Sequence, residues 1–578
     1  MIVNLKKRVT CLSVYHAGNN SSLVMVIRVL LIMLLIVPLC HSADRTLAAV
    51  TVHPLATKAA EKAFKEGGNA VDAAVASALT LGVVDGFNSG IGGGCFMLIR
   101  KPDGEFVAID GRETAPLKAS RDMYLRDGRA KSELSQTGAL SIGVPGALAA
   151  YNLAISKHGN LVLAKHLRDA AKIADEGFVL DASYLRRLNQ VVDKLRRFPD
   201  SARIFLDGNG IPWPSGHRLK QADLARSYRN IASHSADWFY KGKFALETEH
   251  WMVGNGGLIV QEDFIRYEAK LREPVRTTYR NYEIIGYPPP SSGGVHVAQI
   301  LNILENFDLF SMAPDSADFV HIVTESMRLA FADRSYWLGD ADFVSVPRGL
   351  ASKKYARMLA KKIDPKKAAK IDAHSTPVDA DTDLFGKHTT HFSAADSDGW
   401  WVACTATINT TFGSGVVIPS TGIVMNNEMD DFSAQPGVPN VFGLVGAEAN
   451  AVAPGKRPLS SMSPTIVLKD GKPVFAVGAA GGPTIISQAV LAIINIIDHG
   501  MTPVQALRQA RFHHQWKPNQ LLVEKALGRK CIDSLGDRGH KVKLIESMGA
   551  AQALGQNGMG VFIGSADPRG RGVFSVFN

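Results

Sequence analysis

Apolar residues recur at helical spacing in the first two-thirds of the chain and at alternate positions after it, and this change of period organises the sequence. The pattern predicts helices over Leu55–Phe64 and Ala70–Leu81: Gly67 and Gly68 end the first, Asn69 caps the second, and Val71, Val75 and Leu79 line one face. The two form a helical hairpin. Two short apolar runs, Phe96–Arg100 and Phe106–Asp110, flank Lys101, Pro102, Asp103 and Gly104, which is the chemistry of a β-hairpin. Residues 150–250 are mostly helical in period, Ser316–Gly339 predicts another long helix, and no internal repeat is present.

The segment Asp372–His388 is polar, rich in His, Asp and Thr, and without periodicity, so it reads as a linker. Strand-like runs follow at Thr389–Ala395, Trp400–Thr411, Gly422–Asn426, Thr465–Leu468 and Val474–Val477, with a helix predicted at Ile485–Ile497. Asp396, Ser397, Asp398 and Gly399 join the first two strands, and a three-residue loop ending in Gly suits a type I turn with a bulge. In that register Asp396 pairs with Trp400 and Thr389 faces Thr407. Alternation then puts Thr405, Thr407 and Asn409 on one polar face and Val402, Cys404, Ala406 and Ile408 on a core face. A two-residue loop would shift the pairing by one and break this placement. A Thr-rich strand is by itself an ordinary strand, because Thr favours extended backbone.

Composition narrows the class. The 578 residues, at about 150 per domain, suggest three or four domain-sized units. Hydrophobic residues at 46%, charged residues at 20% and a mean hydropathy of +0.02 describe a soluble globular chain. The net charge of +10 is no nucleic-acid signal, since Lys6, Lys7, Arg8 and Arg28 lie in an acid-free stretch over 1–42 and the remainder is dilute. The one basic run, Lys353–Lys370, reads as a solvated helix or linker. Cys11, Cys40, Cys95, Cys404 and Cys531 are too scattered for a disulfide framework or a zinc site.

The apolar run Val29–Leu39 behind Arg28, followed by the small Ser42, reads as a secretory signal peptide over 1–42 with Met1 or Met25 as its start. Membrane spanning needs about 20 apolar residues, and Arg28 interrupts any longer window. Secretion or a periplasmic location follows, with no stable membrane span once the signal is removed.

Several long motifs occur in one order: SGIGGG at Ser89, DGRETAP at Asp110, PPPSSGG at Pro288, RLAFADRSYWLGD at Arg328, and TTHFSAADSDGWWVACTATINTTFGSG at Thr389. They continue with NNEMDDFS at Asn426, RPLSSMSPT at Arg457, AAGGPTI at Ala479 and RFHHQW at Arg511. Together they closely resemble the gamma-glutamyltranspeptidases, members of the N-terminal nucleophile hydrolases, over roughly residues 46–570. The resemblance implies an α+β fold, a four-layer αββα sandwich built from two subunits cut from one precursor. Cleavage between His388 and Thr389 would give a large subunit over 43–388 and a small, catalytic subunit over 389–578, which stay together as a heterodimer.

The implied chemistry suits the residues. A threonine hydroxyl needs a base, and a chain that begins with Thr389 carries one in its own α-amine, of reference pKa near about 8. The resemblance gives Thr407 the role of orienting Thr389, and gives Gly481 and Gly482, just before Pro483 and a helix start, the oxyanion of the tetrahedral intermediate. It assigns Arg112, Ser460 and Ser461 to the donor's α-carboxylate, and Asn409, Glu428 and Asp431 to its α-ammonium. Asp430 is expected to serve structure. The stretch Ser433–Val452 resembles a lid, with Phe442 where some members carry a lid Tyr. The implied substrates are glutathione and other γ-glutamyl compounds, with water, amino acids or short peptides as acceptors. No cofactor, metal or nucleic acid is implied; His391, His513 and His514 read as structural, and Cys95 and Cys404 as inert thiols. Two alternatives stay open: an acylase of the same superfamily acting on other amides such as glutaryl β-lactam side chains, and an uncut binding protein without chemistry.

Overall fold

A computed structural model describes residues 45–378, 380 and 393–578; the signal segment 1–42, the cleavage pair His388 and Thr389, and His391 lie outside the described residues. The chain enters through β1 (Leu47–Thr51), buried along its whole length, and turns into α1 (Pro54–Lys65) and α2 (Ala70–Val84). The Asn69 side chain accepts from the N–H groups of Val71 and Asp72, and Asp72 returns the bond to the Asn69 N–H, so the helix start is satisfied from both directions. β2 (Gly94–Arg100) and β3 (Phe106–Gly111) form the expected hairpin, and α3 (Ala147–His158), α4 (Leu163–Glu176) and α5 (Ala182–Arg196) follow. β4 (Lys270–Arg272), β5 (Val275–Tyr279) and β6 (Tyr282–Gly286) precede α6 (Gly293–Leu304) and the long α7 (Ala317–Trp337), which Ser316 caps. Beyond residue 392 come β7 (Ser393–Asp396), β8 (Trp401–Thr407), β9 (Thr465–Lys469), β10 (Lys472–Ala480), α8 (Thr484–Ile497), β11 (Ala550–Gln556), β12 (Phe562–Ala566) and β13 (Val573–Phe577).

These strands build two antiparallel sheets, ordered β13-β1-β7-β8-β2-β3-β4 and β12-β11-β10-β9-β6-β5. The sheets face each other across a layer that includes Val50, Leu98, Ile285, Trp401, Ile466 and Leu554. Helices cover both outer faces: α1 to α5 pack on Met97, Ile99, Val402 and Cys404 of the first sheet, and α6 to α8 on Val467, Phe475 and Val477 of the second. This is the four-layer αββα sandwich. Both sheets draw strands from before and after the polar segment 372–388, so Thr46–Asn578 packs as one unit rather than as three or four.

Three local expectations need correcting. The strand predicted over Trp400–Thr411 ends at Thr407, because Asn409 and Phe412 take left-handed backbone (φ 72° and 58°) and turn the chain out of the sheet. Gly422–Asn426 is not a strand; it makes a single bridge, Val417 to Val424. The face of β8 expected to be polar is core along its first half, since Trp401 and Ala403 fill the layer between the sheets, and only Thr405 and Thr407 at its end reach a cavity. A strand inside a four-layer stack is covered on both sides, so alternation cannot mark its solvent face. The hairpin register itself is the one with Asp396 bonded to Trp400, and Ala394–Val402 and Ala395–Trp401 obey it. The Thr389–Thr407 pair lies outside the described residues.

Candidate active site

The end of β8 opens into a cavity of about 510 Å³ lined by Thr405, Thr407, Asn409, Glu428, Asp431, Ser460, Ser461, Gly481 and Gly482. Positions scattered along much of the chain beyond residue 400 thus share one space. Thr407 holds its place through its Oγ1, which accepts from the Asn409 N–H at 2.7 Å. That bond uses the oxygen as acceptor and leaves the hydroxyl proton free to donate. Asn409 spends its amide on the Asn427 carbonyl at 3.0 Å, so its side-chain oxygen is the atom left to accept.

Arg112 follows directly on β3 and is fully buried. Its guanidinium donates to Glu428, to Asp431 at 2.6 Å and to the Pro458 carbonyl at 3.0 Å. The cation assigned to a carboxylate and the two acids assigned to an ammonium are therefore bonded to one another. Asp110 fixes the backbone here: one oxygen accepts from the Arg112 N–H at 2.8 Å while Arg272 and Arg457 neutralise the carboxylate. Burial would raise Asp110, but those two guanidiniums hold it below the usual carboxylate range.

Glu113 adds a third acid, 3.7 Å from Arg112, and neither of its buried oxygens has a hydrogen-bond partner among the described residues. Burial and the neighbouring Glu428 push its carboxyl well up, against the pull of Arg112. Burial likewise raises Glu428 to about 7, with Arg112 opposing and Asp431 adding to the rise. With Glu113 and Glu428 buried and Asp431 mostly buried around one guanidinium, the three carboxyls cannot all ionise, and the cluster as a group holds protons that isolated carboxyls would lose.

Ser460 and Ser461 are held from behind. Arg334 on α7 donates to the Ser461 hydroxyl at 3.0 Å and to that of Ser292 at 2.9 Å, while Ser292 donates to the Ser460 carbonyl at 2.8 Å. Burial brings Arg334 down to about 10, so it stays charged at neutral pH. This explains the PPPSSGG run, which clamps the serine loop, and it adds Arg334 and Glu113 to the residues that sequence reasoning missed. The missed signal was motif membership: both lie inside recognised runs, yet helical period marks Arg334 only as a buried position.

Gly481 and Gly482 connect β10 to the N-terminus of α8 with φ of 134° and 58°, backbone that side chains disfavour. Neither N–H is used in a hydrogen bond among the described residues, so both remain available to the cavity. A Cβ on Gly482 would lie 2.8 Å from the Phe442 ring. That ring belongs to the lid segment, whose Phe442 carbonyl accepts from Gln515 at 3.0 Å and whose Val441 N–H donates to Asp430 at 3.1 Å. Asp430 also accepts from Ser135 at 2.5 Å, and so ties the lid to its base.

The remaining candidates sit apart from this chemistry. Burial keeps His513 near about 4 and His514 well below its usual value, so both are neutral; His513 bonds Ser487 at 2.6 Å. Cys95, Cys404 and Cys531 are buried free thiols, and burial pushes Cys404 up. Of the described residues, His321, Glu325 and His540 lie close enough to hold a metal ion, but the histidines bond each other at 2.8 Å and Glu325 pairs with Arg328 at 2.5 Å.

The family profile described as gamma-glutamyltranspeptidase matches residues 56–577. The glutathione hydrolase proenzyme of Escherichia coli (strain K12) is 45% identical over 521 residues, covering 90% of each chain. The acylase ACY 1 proenzyme of Pseudomonas sp. (strain SE83) is 39% identical over 530 residues, 89% of this chain and 91% of that one. Among solved structures, the cephalosporin acylase from Bacillus halodurans superposes with a TM-score of 0.81 at 28% identity, over 92% of this chain and 95% of its own. A match running from the first helix to the last strand, on a sandwich whose sheets draw on both halves of the sequence, assigns this chain to the gamma-glutamyltranspeptidase family.

Proposed function

We propose that the protein is a self-processing γ-glutamyltransferase and hydrolase that takes glutathione and related γ-glutamyl compounds as donors. The observation that carries this reading is the Arg112–Glu428–Asp431 cluster opening on the same cavity as Thr407 and the Gly481–Gly482 turn. A donor's α-carboxylate and α-ammonium are the two charges such a cluster can exchange for its internal ion pairs: Arg112, Ser460 and Ser461 take the carboxylate, and Glu428, Asp431 and Asn409 take the ammonium.

In the precursor the Thr389 hydroxyl attacks the His388 carbonyl, the peptide C–N bond breaks, and water resolves the resulting ester. The freed α-amine of Thr389 then serves as base. During turnover the Thr389 oxygen bonds to the γ-carbonyl carbon while its proton passes to that amine. The tetrahedral oxyanion is stabilised by the N–H groups of Gly481 and Gly482. The intermediate collapses with loss of the donor's amine, which takes the proton, and a γ-glutamyl ester remains on Thr389. Water, an amino acid or a short peptide attacks the ester, the same amine accepts its proton, and Thr389 is released. The free hydroxyl proton of Thr407 supports its role in orienting Thr389.

The segment 1–42 is read as a signal peptide and the enzyme as secreted or periplasmic; no described helix is long and apolar enough to cross a membrane. A second reading, an acylase for other amides, is favoured by similarity to the two acylases. It is weakened by Glu428 and Asp431, which a substrate without an α-ammonium would leave unused. Mass spectrometry of the purified protein is the test: a fragment beginning at Thr389 is expected, and a single uncut chain that still hydrolyses donors would refute the reading. Competition between glutathione and a glutaryl amide separates it from the acylase alternative.

The lid yields a further expectation. Phe442 packs against the Gly482 turn but has no hydroxyl to donate, so Phe442→Tyr, which supplies one as some family members do, should hold the lid closed more firmly and raise the transfer-to-hydrolysis ratio about two- to tenfold. An unchanged ratio counts against that role of the lid.

A further inference from the structure

The cavity is also lined by charged side chains that play no part in the chemistry above, namely Asp85, Arg186, Arg187, Arg569 and Arg571. Most are already neutralised. Arg571 bonds Asp181 at 2.6 Å and Asp85 at 3.1 Å, and Arg569 bonds Glu524 at 2.6 Å. Arg186 and Arg187 differ. They are consecutive on α5, both exposed, and neither makes a hydrogen bond or ion pair among the described residues. Asp85 and Asp181 are bonded to Arg571, and Arg187 adds only a longer-range attraction to Asp85, so three guanidiniums stand against two carboxylates and this part of the cavity wall carries excess positive charge.

A γ-glutamyl peptide brings three charges to the site. The α-carboxylate and α-ammonium of its glutamyl end are met by Arg112, Glu428 and Asp431. The third is the carboxylate at the far end of the leaving peptide, and an amino-acid or peptide acceptor carries the same group. We propose that Arg186 and Arg187 form a carboxylate-recognition subsite for the leaving peptide and for the acceptor that replaces it. The inference rests on the γ-glutamyl reading of the cavity and adds to it a preference for acceptors with a free carboxylate. No bond is made or broken at this subsite; its contribution is charge pairing that orients the acceptor amine toward the ester.

The test compares glycylglycine with glycylglycinamide as acceptors from γ-glutamyl-p-nitroanilide, in the wild-type processed enzyme and in the R186A/R187A double variant. The readout is the KM of the amide divided by the KM of the acid. Taking this ratio within each protein cancels any general loss of activity, and comparing proteins cancels the difference in amine basicity. The ratio should fall ~5- to 10-fold in the double variant, through a higher KM for glycylglycine, and R186K/R187K should restore most of it. In the wild type the ratio should also shrink as salt is raised, since these charges are exposed. A ratio that is the same in the double variant and the wild type overturns the subsite while leaving the γ-glutamyl reading intact. Absence of p-nitroaniline release from the wild type overturns both.

Discussion

Thr389→Ala is expected to leave one uncut chain with donor turnover lower by about 10⁴-fold or more, the scale on which loss of a nucleophile acts. In the proposed mechanism both effects follow from one atom, because the oxygen that opens the His388–Thr389 bond is the oxygen that later attacks the donor. Denaturing gels measure the first effect, and release of p-nitroaniline from γ-glutamyl-p-nitroanilide the second. Thr389→Ser keeps an oxygen at that place and should retain both activities at reduced rate. Turnover by the uncut alanine variant would refute the mechanism, and so would full activity after the new α-amine has been acylated.

Arg112→Ala should have the second largest effect, on stability and on donor binding together. The side chain is fully buried and bonds two acids, so its removal takes from the buried Glu428 and the mostly buried Asp431 the cation that favours their ionised forms. Breaking one partner out of such a group costs about 3–5 kcal/mol, less whatever the acids recover by taking up protons. Thermal unfolding should show a lower Tm, and the loss should ease at acidic pH, where protonation of those acids removes the stranded charge. Arg112→Lys separates the two roles. A lysine keeps the charge but cannot reach both acids and a carboxylate with a planar fork, so it should restore much of the Tm while the donor KM stays raised. A lysine variant with an unchanged donor KM would show that Arg112 serves the fold alone.

Local chemistry was legible where the responsible residues are neighbours in sequence. Asn69 announces a helix start because its side chain reaches N–H groups two and three residues on, and the Asp396–Gly399 turn suggests the hairpin register because a three-residue loop ending in Gly suits it, the strand pairing then deciding against the two-residue alternative. The helix after Gly481, Gly482 and Pro483 was legible for the same reason. The faces of β8 were not, since alternation reports one covered side and this strand has two. The run Gly422–Asn426 is apolar enough for a strand, but its backbone pairs mainly with the loop 414–418, through one bridge and a few hydrogen bonds, and joins neither sheet.

The candidate site divides along the same line. Residue types in the motifs mark Arg112, Asn409, Thr407, Glu428, Asp431, Ser460, Ser461, Gly481 and Gly482 as a set, and the resemblance attaches chemistry to them. That Arg112 is bonded to both acids, that Glu113 crowds the same guanidinium, that Arg334 stands behind Ser461, and that Arg186 and Arg187 on the cavity wall make no ion pair among the described residues are facts of distance between elements far apart in the chain. The sequence by itself determined the helices, the turn and the family and nominated the reacting groups, because each depends on contacts within a few residues or on a run of motifs. Only the tertiary structure decided which charges cancel and which stay open, because electrostatic pairing depends on separation in space and on burial, and the linear order of residues records neither.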